Sequence, residues 1–130
     1  MSALAPLQFD HAEMCDRIGA LSERELDDLD FGVIGFDAGT VVRLYNAIES
    51  KLAGLSRERV VGQPFFTIVA PCMNNFMVAQ RFEDAAANGS ALDATIDYVL
   101  TLRMRPIKVN LRLLAAPGMA LRYLLVSRPS

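Results

Sequence analysis

The chain has 130 residues, 52% apolar and 22% charged, which suits a single domain with a substantial core and excludes a disordered chain. A net charge of -2 argues against a nucleic-acid partner, because phosphate binding needs a basic surface. No apolar run approaches the roughly 18 residues of a membrane span, and the start MSALAPLQFDHAEM lacks the features of a signal peptide, so a cytoplasmic protein without a membrane partner is expected.

Residues 1–30 read as two short helices capping a larger unit, residues 31–130. Asp10 with Glu13, and Ser22 with Glu25, have the spacing by which a helix start satisfies its free amides. From Phe31 the pattern becomes strand-like: FGVIGF, a turn at Ala38-Gly39, then TVVRLY, which predicts a hairpin. Residues 46–72 read as short helical turns broken by Gly54, Gly62, Pro64 and Pro71. A longer helix is predicted from Asn75 to Asn88, stopped by Gly89.

The last third alternates with a period of two. Ala94, Ile96, Tyr98, Leu100 and Leu102 form one side of a strand; Ile107, Val109, Leu111 and Leu113 form one side of the next, with Lys108, Asn110 and Arg112 on a wet face. Pro117-Gly118 turns the chain into a final strand, Leu121 to Ser127. Two strands, a helical middle and three strands predict an α+β fold. Its five-stranded antiparallel sheet carries the middle helices on one face and an N-terminal helical cap, an order similar to a PAS domain.

Several chemistries lack their residues. His11 is the only histidine and lies in the cap, which argues against a haem or zinc site in the core. No Ser-His-Asp or Cys-His pair can form around a core nucleophile, and neither GxGxxG nor a Walker-type loop occurs. Cys15 and Cys72 are too few for a disulfide framework. An enzyme is not expected.

Three groups remain: Tyr45 at a strand end, Glu49 four residues later, and Cys72 after Ala70-Pro71. Each has an ordinary reading. Tyr45 can be core filling with a satisfied hydroxyl. Asn46-x-x-Glu49 can be no more than a helix start. A lone cysteine in an apolar segment is usually an inert small hydrophobe.

Together with their surroundings they say more. The segment YNAIESKLAGLSRERVVGQPFFTIVAPC resembles the photoactive yellow protein family through Tyr45-Asn46-Ala47, Glu49, Val61-Gly62, Phe65-Phe66 and Val69-Ala70-Pro71-Cys72. The likeness continues through Phe31-Gly32, Phe82, Gly89, Asp97-Tyr98, Met104, Pro106, Lys108-Val109 and the terminal LLVSR, with one apparent insertion near Ser90-Ala91. The cap matches only loosely.

The resemblance implies a PAS-fold blue-light receptor with trans-p-coumaric acid (4-hydroxycinnamic acid) bound through a thioester to Cys72. Tyr45 and Glu49 would hydrogen-bond the phenolate oxygen, compensating part of its lost hydration. Glu49 would then be protonated in the dark, because burial and a nearby anion both raise a carboxyl pKa, to about 8 or 9 in documented cases. Light would isomerise the double bond, and Glu49 would protonate the phenolate, leaving a buried charge that partly unfolds the chain, foremost the cap. Met104 would assist the return to darkness; Tyr98, Leu100 and Phe65 would line the pocket.

The chain departs from the family pattern where Ala53 replaces a threonine that bonds the tyrosine hydroxyl and Leu55 replaces an arginine that shields the chromophore. Both positions count as pocket lining. Arg57, Arg103 and Arg105 are candidates to take the arginine's place. A looser network at Tyr45 and an absorption maximum to the red of typical members are expected. The rival readings are a PAS module holding a small aromatic ligand without photochemistry and a protein-binding PAS module. The expected partner is an unidentified downstream signalling protein, and the expected state is a monomer or weak dimer.

Overall fold

The computed structural model describes residues 7–101 and 106–128. Five strands form one antiparallel sheet: β1 (Gly32–Phe36), β2 (Val42–Tyr45), β3 (Leu92–Leu100), β4 (Ile107–Ala115) and β5 (Arg122–Ser127), in the spatial order β2-β1-β5-β4-β3. The final strand therefore lies at the centre, between the first strand and the fourth. Leu124 and Leu125 of β5 are both fully enclosed, which requires cover on both faces of the sheet.

Alternation divides that cover. Ile34, Phe36, Leu111, Leu113, Leu124 and Val126 belong to a core built with the middle of the chain. That middle consists of α3 (Ala47–Ala53), α4 (Arg57–Val60), a π-helical turn at Phe65–Val69, a 3-10 turn at Pro71–Met73, and α5 (Ala79–Asn88). The Phe36 ring anchors this side, stacked on Phe65 at 5.5 Å and edge-on to Phe66 and Phe82. Gly89 closes α5 in the left-handed region at φ 62°, as its sequence position predicts. The helix starts four residues later than expected. The Asn75 side chain accepts hydrogen bonds from the Met77 and Val78 amides and holds the preceding residues in a turn.

The other face differs from expectation. Lys108 and Asn110 are exposed as expected, with Asp93, Thr95 and Asp97 of β3 beside them, but toward β5 and β1 the face is not wet: α1 (Met14–Ile18) and α2 (Glu23–Asp27) lie over it, packing Leu7, Met14, Ile18 and Leu26 against Val33, Leu114, Tyr123 and Leu125. Arg112, expected in solvent, is buried there. Its guanidinium grips both Asp93 carboxylate oxygens at 2.8 Å and donates to the Phe9 and His11 carbonyls at 2.9 and 2.7 Å. Alternation reports which side a residue takes, not what covers that side. Ile107, expected inside, is 40% exposed at the far end of the sheet.

Only one of the two expected capping boxes forms. Ser22 and Glu25 bond reciprocally at 3.1 and 2.9 Å at the start of α2. No side chain caps α1, which begins after Glu13. Arg112 holds the carbonyls on either side of Asp10 in a tertiary contact, and α1 starts only beyond that anchored turn.

Candidate functional site

The site begins at the junction of β2 and α3. Tyr45 pairs with Ile34 in the sheet, and both side chains enter the inner core, where Tyr45 is buried. The next residue, Asn46, turns the chain into α3. Its carboxamide is buried and uses both ends: Oδ1 accepts from the Val33 and Glu49 amides at 2.9 and 3.3 Å, and Nδ2 donates to the Leu26 and Phe31 carbonyls at 2.8 and 3.1 Å. One side chain thus ties the cap, β1 and α3 together.

The helix-start reading of Asn46-x-x-Glu49 holds by half. A full box needs the Glu49 carboxylate to return to the Asn46 amide. That amide donates instead to the Val33 carbonyl at 3.1 Å, and Glu49 is free to turn inward. There it meets Arg128 just beyond β5. Arg128 Nη1 and Nη2 donate to Glu49 Oε1 and Oε2 at 2.7 and 3.0 Å, a bidentate ion pair between side chains only 11% and 4% exposed. Gly32 makes room for it, since a Cβ at that position would stand 1.9 Å from Glu49 Oε1.

Burial, followed by the Glu49 charge, pushes the Tyr45 hydroxyl well above the ordinary tyrosine range; the Arg128 charge pulls it the other way. Tyr45, Glu49 and Arg128 therefore act on one another electrostatically. Arg128 also stands in the wall of an open pocket of about 880 Å³, with Met77, Tyr98, Lys108 and Val109.

Cys72 lies in the 3-10 turn after the π-helical turn, a half-buried free thiol packed against the core that holds Tyr45. Tyr98 donates to the Cys72 carbonyl, and Asn75 Nδ2 donates to that carbonyl at 3.1 Å and to the Tyr98 hydroxyl at 2.7 Å. The backbone that carries the thiol is therefore fixed by two side chains. Cys15, in α1 of the cap, is half-buried, its thiol raised in pKa chiefly by burial.

Most of the expected site residues come together. Tyr45, Phe65, Tyr98 and Leu100 share the inner core, with Leu55 and Cys72 packed against it. Ala53 is buried at the end of α3, close in sequence to Leu55. Met104, like Arg103 and Arg105, lies outside the described residues. Arg57, a candidate for the missing shielding arginine, donates from Nε to the Tyr45 carbonyl at 2.9 Å and from Nη2 to Asp27 at 2.7 Å, which ties α4 to the cap. Arg128, Asn75 and the spacing role of Gly32 were not foreseen. Arg128 carried a signal, because strand parity puts position 128 on the face of Leu124 and Val126.

No family model matches the chain. Among curated proteins, it is 33% identical to the photoactive yellow protein of Rhodothalassium salexigens over 107 residues, 82% of this chain and 85% of the relative. It is 26% identical to that of Rhodobacter capsulatus over 113 residues, 87% and 90% of the two chains. Among solved structures, it is similar to the photoactive yellow protein domain of the sensor histidine kinase Ppr from Rhodospirillum centenum. That likeness has a TM-score of 0.77 and 36% identity, covering 88% of this chain and 97% of that domain. The PAS domain of the Cronobacter turicensis quorum-sensing receptor RpfR, at 14% identity and TM-score 0.60 over 79% and 97% of the chains, shares the fold. The chain belongs to the photoactive yellow protein family of blue-light photoreceptors.

Proposed function

We propose that Cys72 carries trans-p-coumaric acid as a thioester and that Tyr45 and Glu49 bind the phenol oxygen at the other end of that group. The observation that supports this reading best is the half-buried free thiol of Cys72 against the same apolar core that encloses the Tyr45 ring. The residues present fit the group. A thiol can bear the acyl chain, Phe65, Leu55 and Leu100 supply apolar walls, and a hydroxyl and a carboxyl are the partners a phenol oxygen requires.

When bound, the group supplies visible absorption and a double bond that light isomerises. Tyr45 and the acid form of Glu49 donate hydrogen bonds to the phenol oxygen, and the apolar walls strengthen those bonds by excluding water. Once light breaks them, Glu49 would give its proton to the phenolate oxygen and become a carboxylate in a buried position. A buried charge of this kind costs about 3–5 kcal/mol until its partner Arg128 meets it, comparable with the whole stability of a small domain, so the site must rearrange. Asn46 gives that strain a route, since it bonds both the Glu49 amide and the Leu26 carbonyl of the cap. The loosened cap is the surface an unidentified signalling partner would read. Met104 would assist the return to darkness, as the family likeness implies. No described helix is long and apolar enough to cross a membrane. We place this sensor, not an enzyme, in the cytoplasm as a monomer or weak dimer.

Mixing the apoprotein with activated p-coumaric acid tests the reading. A visible band should form, bleach in blue light and recover in darkness, and Cys72→Ala should form none. Glu49→Gln should still form a pigment but lose its internal proton donor. A band that ignores blue light would leave an aromatic-ligand module and remove the photoreceptor.

A further inference from the structure

The Glu49–Arg128 pair raises a question that the photoreceptor reading leaves open. Proton delivery needs Glu49 as an acid, yet a bidentate guanidinium pairs with a carboxylate. We infer that Arg128 is the fixed cation of the chromophore site: Glu49 takes the proton of the entering phenol, and the Arg128 guanidinium passes from the Glu49 carboxylate to the phenolate. This rests on the proposed loading of Cys72.

The step balances. The phenol O–H bond breaks and a Glu49 O–H bond forms, while guanidinium and Tyr45 keep their protons. The site holds one cation and one anion throughout, so no net charge is added among these buried side chains. The surrounding residues favour Arg128 for this role. Position 55, where the family likeness expects an arginine, is Leu55. Arg57 is engaged by the Tyr45 carbonyl and Asp27, and Arg112 by Asp93 on the opposite face. Arg128 alone among the described arginines meets a carboxylate of the candidate site, and its charge also acts on Tyr45. The remaining charged groups around it, Asp97 and Lys108 in one pocket and Asp10 and Asp30 in a second, are exposed and screened by water.

Two measurements decide it. In the apoprotein, urea unfolding of Arg128→Gln, Glu49→Gln and the double variant should show coupling of about tenfold or more in the folding equilibrium. In the loaded protein, acid titration of the visible band reads how strongly the site holds phenolate. Its midpoint should rise by about one pH unit or more in Arg128→Gln, and Arg128→Lys should restore most of the shift. The lysine variant also serves if glutamine prevents folding. Additive unfolding energies, or a midpoint unmoved in Arg128→Gln, overturn the inference. If the wild-type chain takes up no hydroxycinnamoyl group, the loading reading fails and the inference with it, while coupling in the apoprotein would still establish the ion pair.

Discussion

Gly32 of β1 and Glu49 of α3 approach so closely that no side chain fits between them: a methyl group at position 32 would lie 1.9 Å from Oε1 and 2.9 Å from Cδ of Glu49. The obstacle is the far end of a side chain, so Glu49 yields before the sheet does. Gly32→Ala should therefore fold but displace the carboxyl from Arg128 and from the phenol site. Its pigment should absorb at a different wavelength from wild type, and unchanged spectra would contradict this placement of Glu49.

Asn46→Ala removes four hydrogen bonds at once and leaves the Val33 and Glu49 amides and the Phe31 carbonyl without their side-chain partner, while the Leu26 carbonyl keeps the Leu29 amide. Each buried group left unmet costs about 1–3 kcal/mol. A loss of about 3 kcal/mol or more in urea unfolding is expected. Amide exchange should accelerate first in residues 22–29, where Asn46 holds the Leu26 carbonyl.

The protein should weaken in alkali through Tyr45. Its hydroxyl pKa is raised by burial and by Glu49, so the folded chain keeps a proton that the unfolded chain releases near pH 10. The stabilisation is complete below about pH 10 and declines as pH climbs toward the raised value. With no tryptophan in the chain, tyrosinate absorbance reports this directly. Wild type should show delayed ionisation ending in an unfolding step, and Tyr45→Phe should lose part of the delayed signal. The remainder belongs to Tyr123, whose hydroxyl burial also raises.

Local patterns explain how much was legible beforehand. The hairpin, the late strands, the Ser22–Glu25 box and the Gly89 stop depend on neighbours in sequence, and the structure contains them. Tyr45, Glu49 and Cys72 stood out because their spacing matched a family motif. Arg112 and Arg128 were opaque for a shared reason. Each owes its burial to partners far along the chain, Phe9 and His11 for one and Glu49 for the other, and a strand pattern carries no information about such covers. The late start of α5 came from a side chain, Asn75, that captured the amides a helix would have used.

The central claim concerns one sulfur atom. After exposure to activated p-coumaric acid, proteolysis and mass spectrometry should find a single hydroxycinnamoyl group on the peptide containing Cys72 and none on the one containing Cys15, whose thiol pKa is raised by burial. An unmodified Cys72, or an adduct on Cys15 instead, would contradict the account.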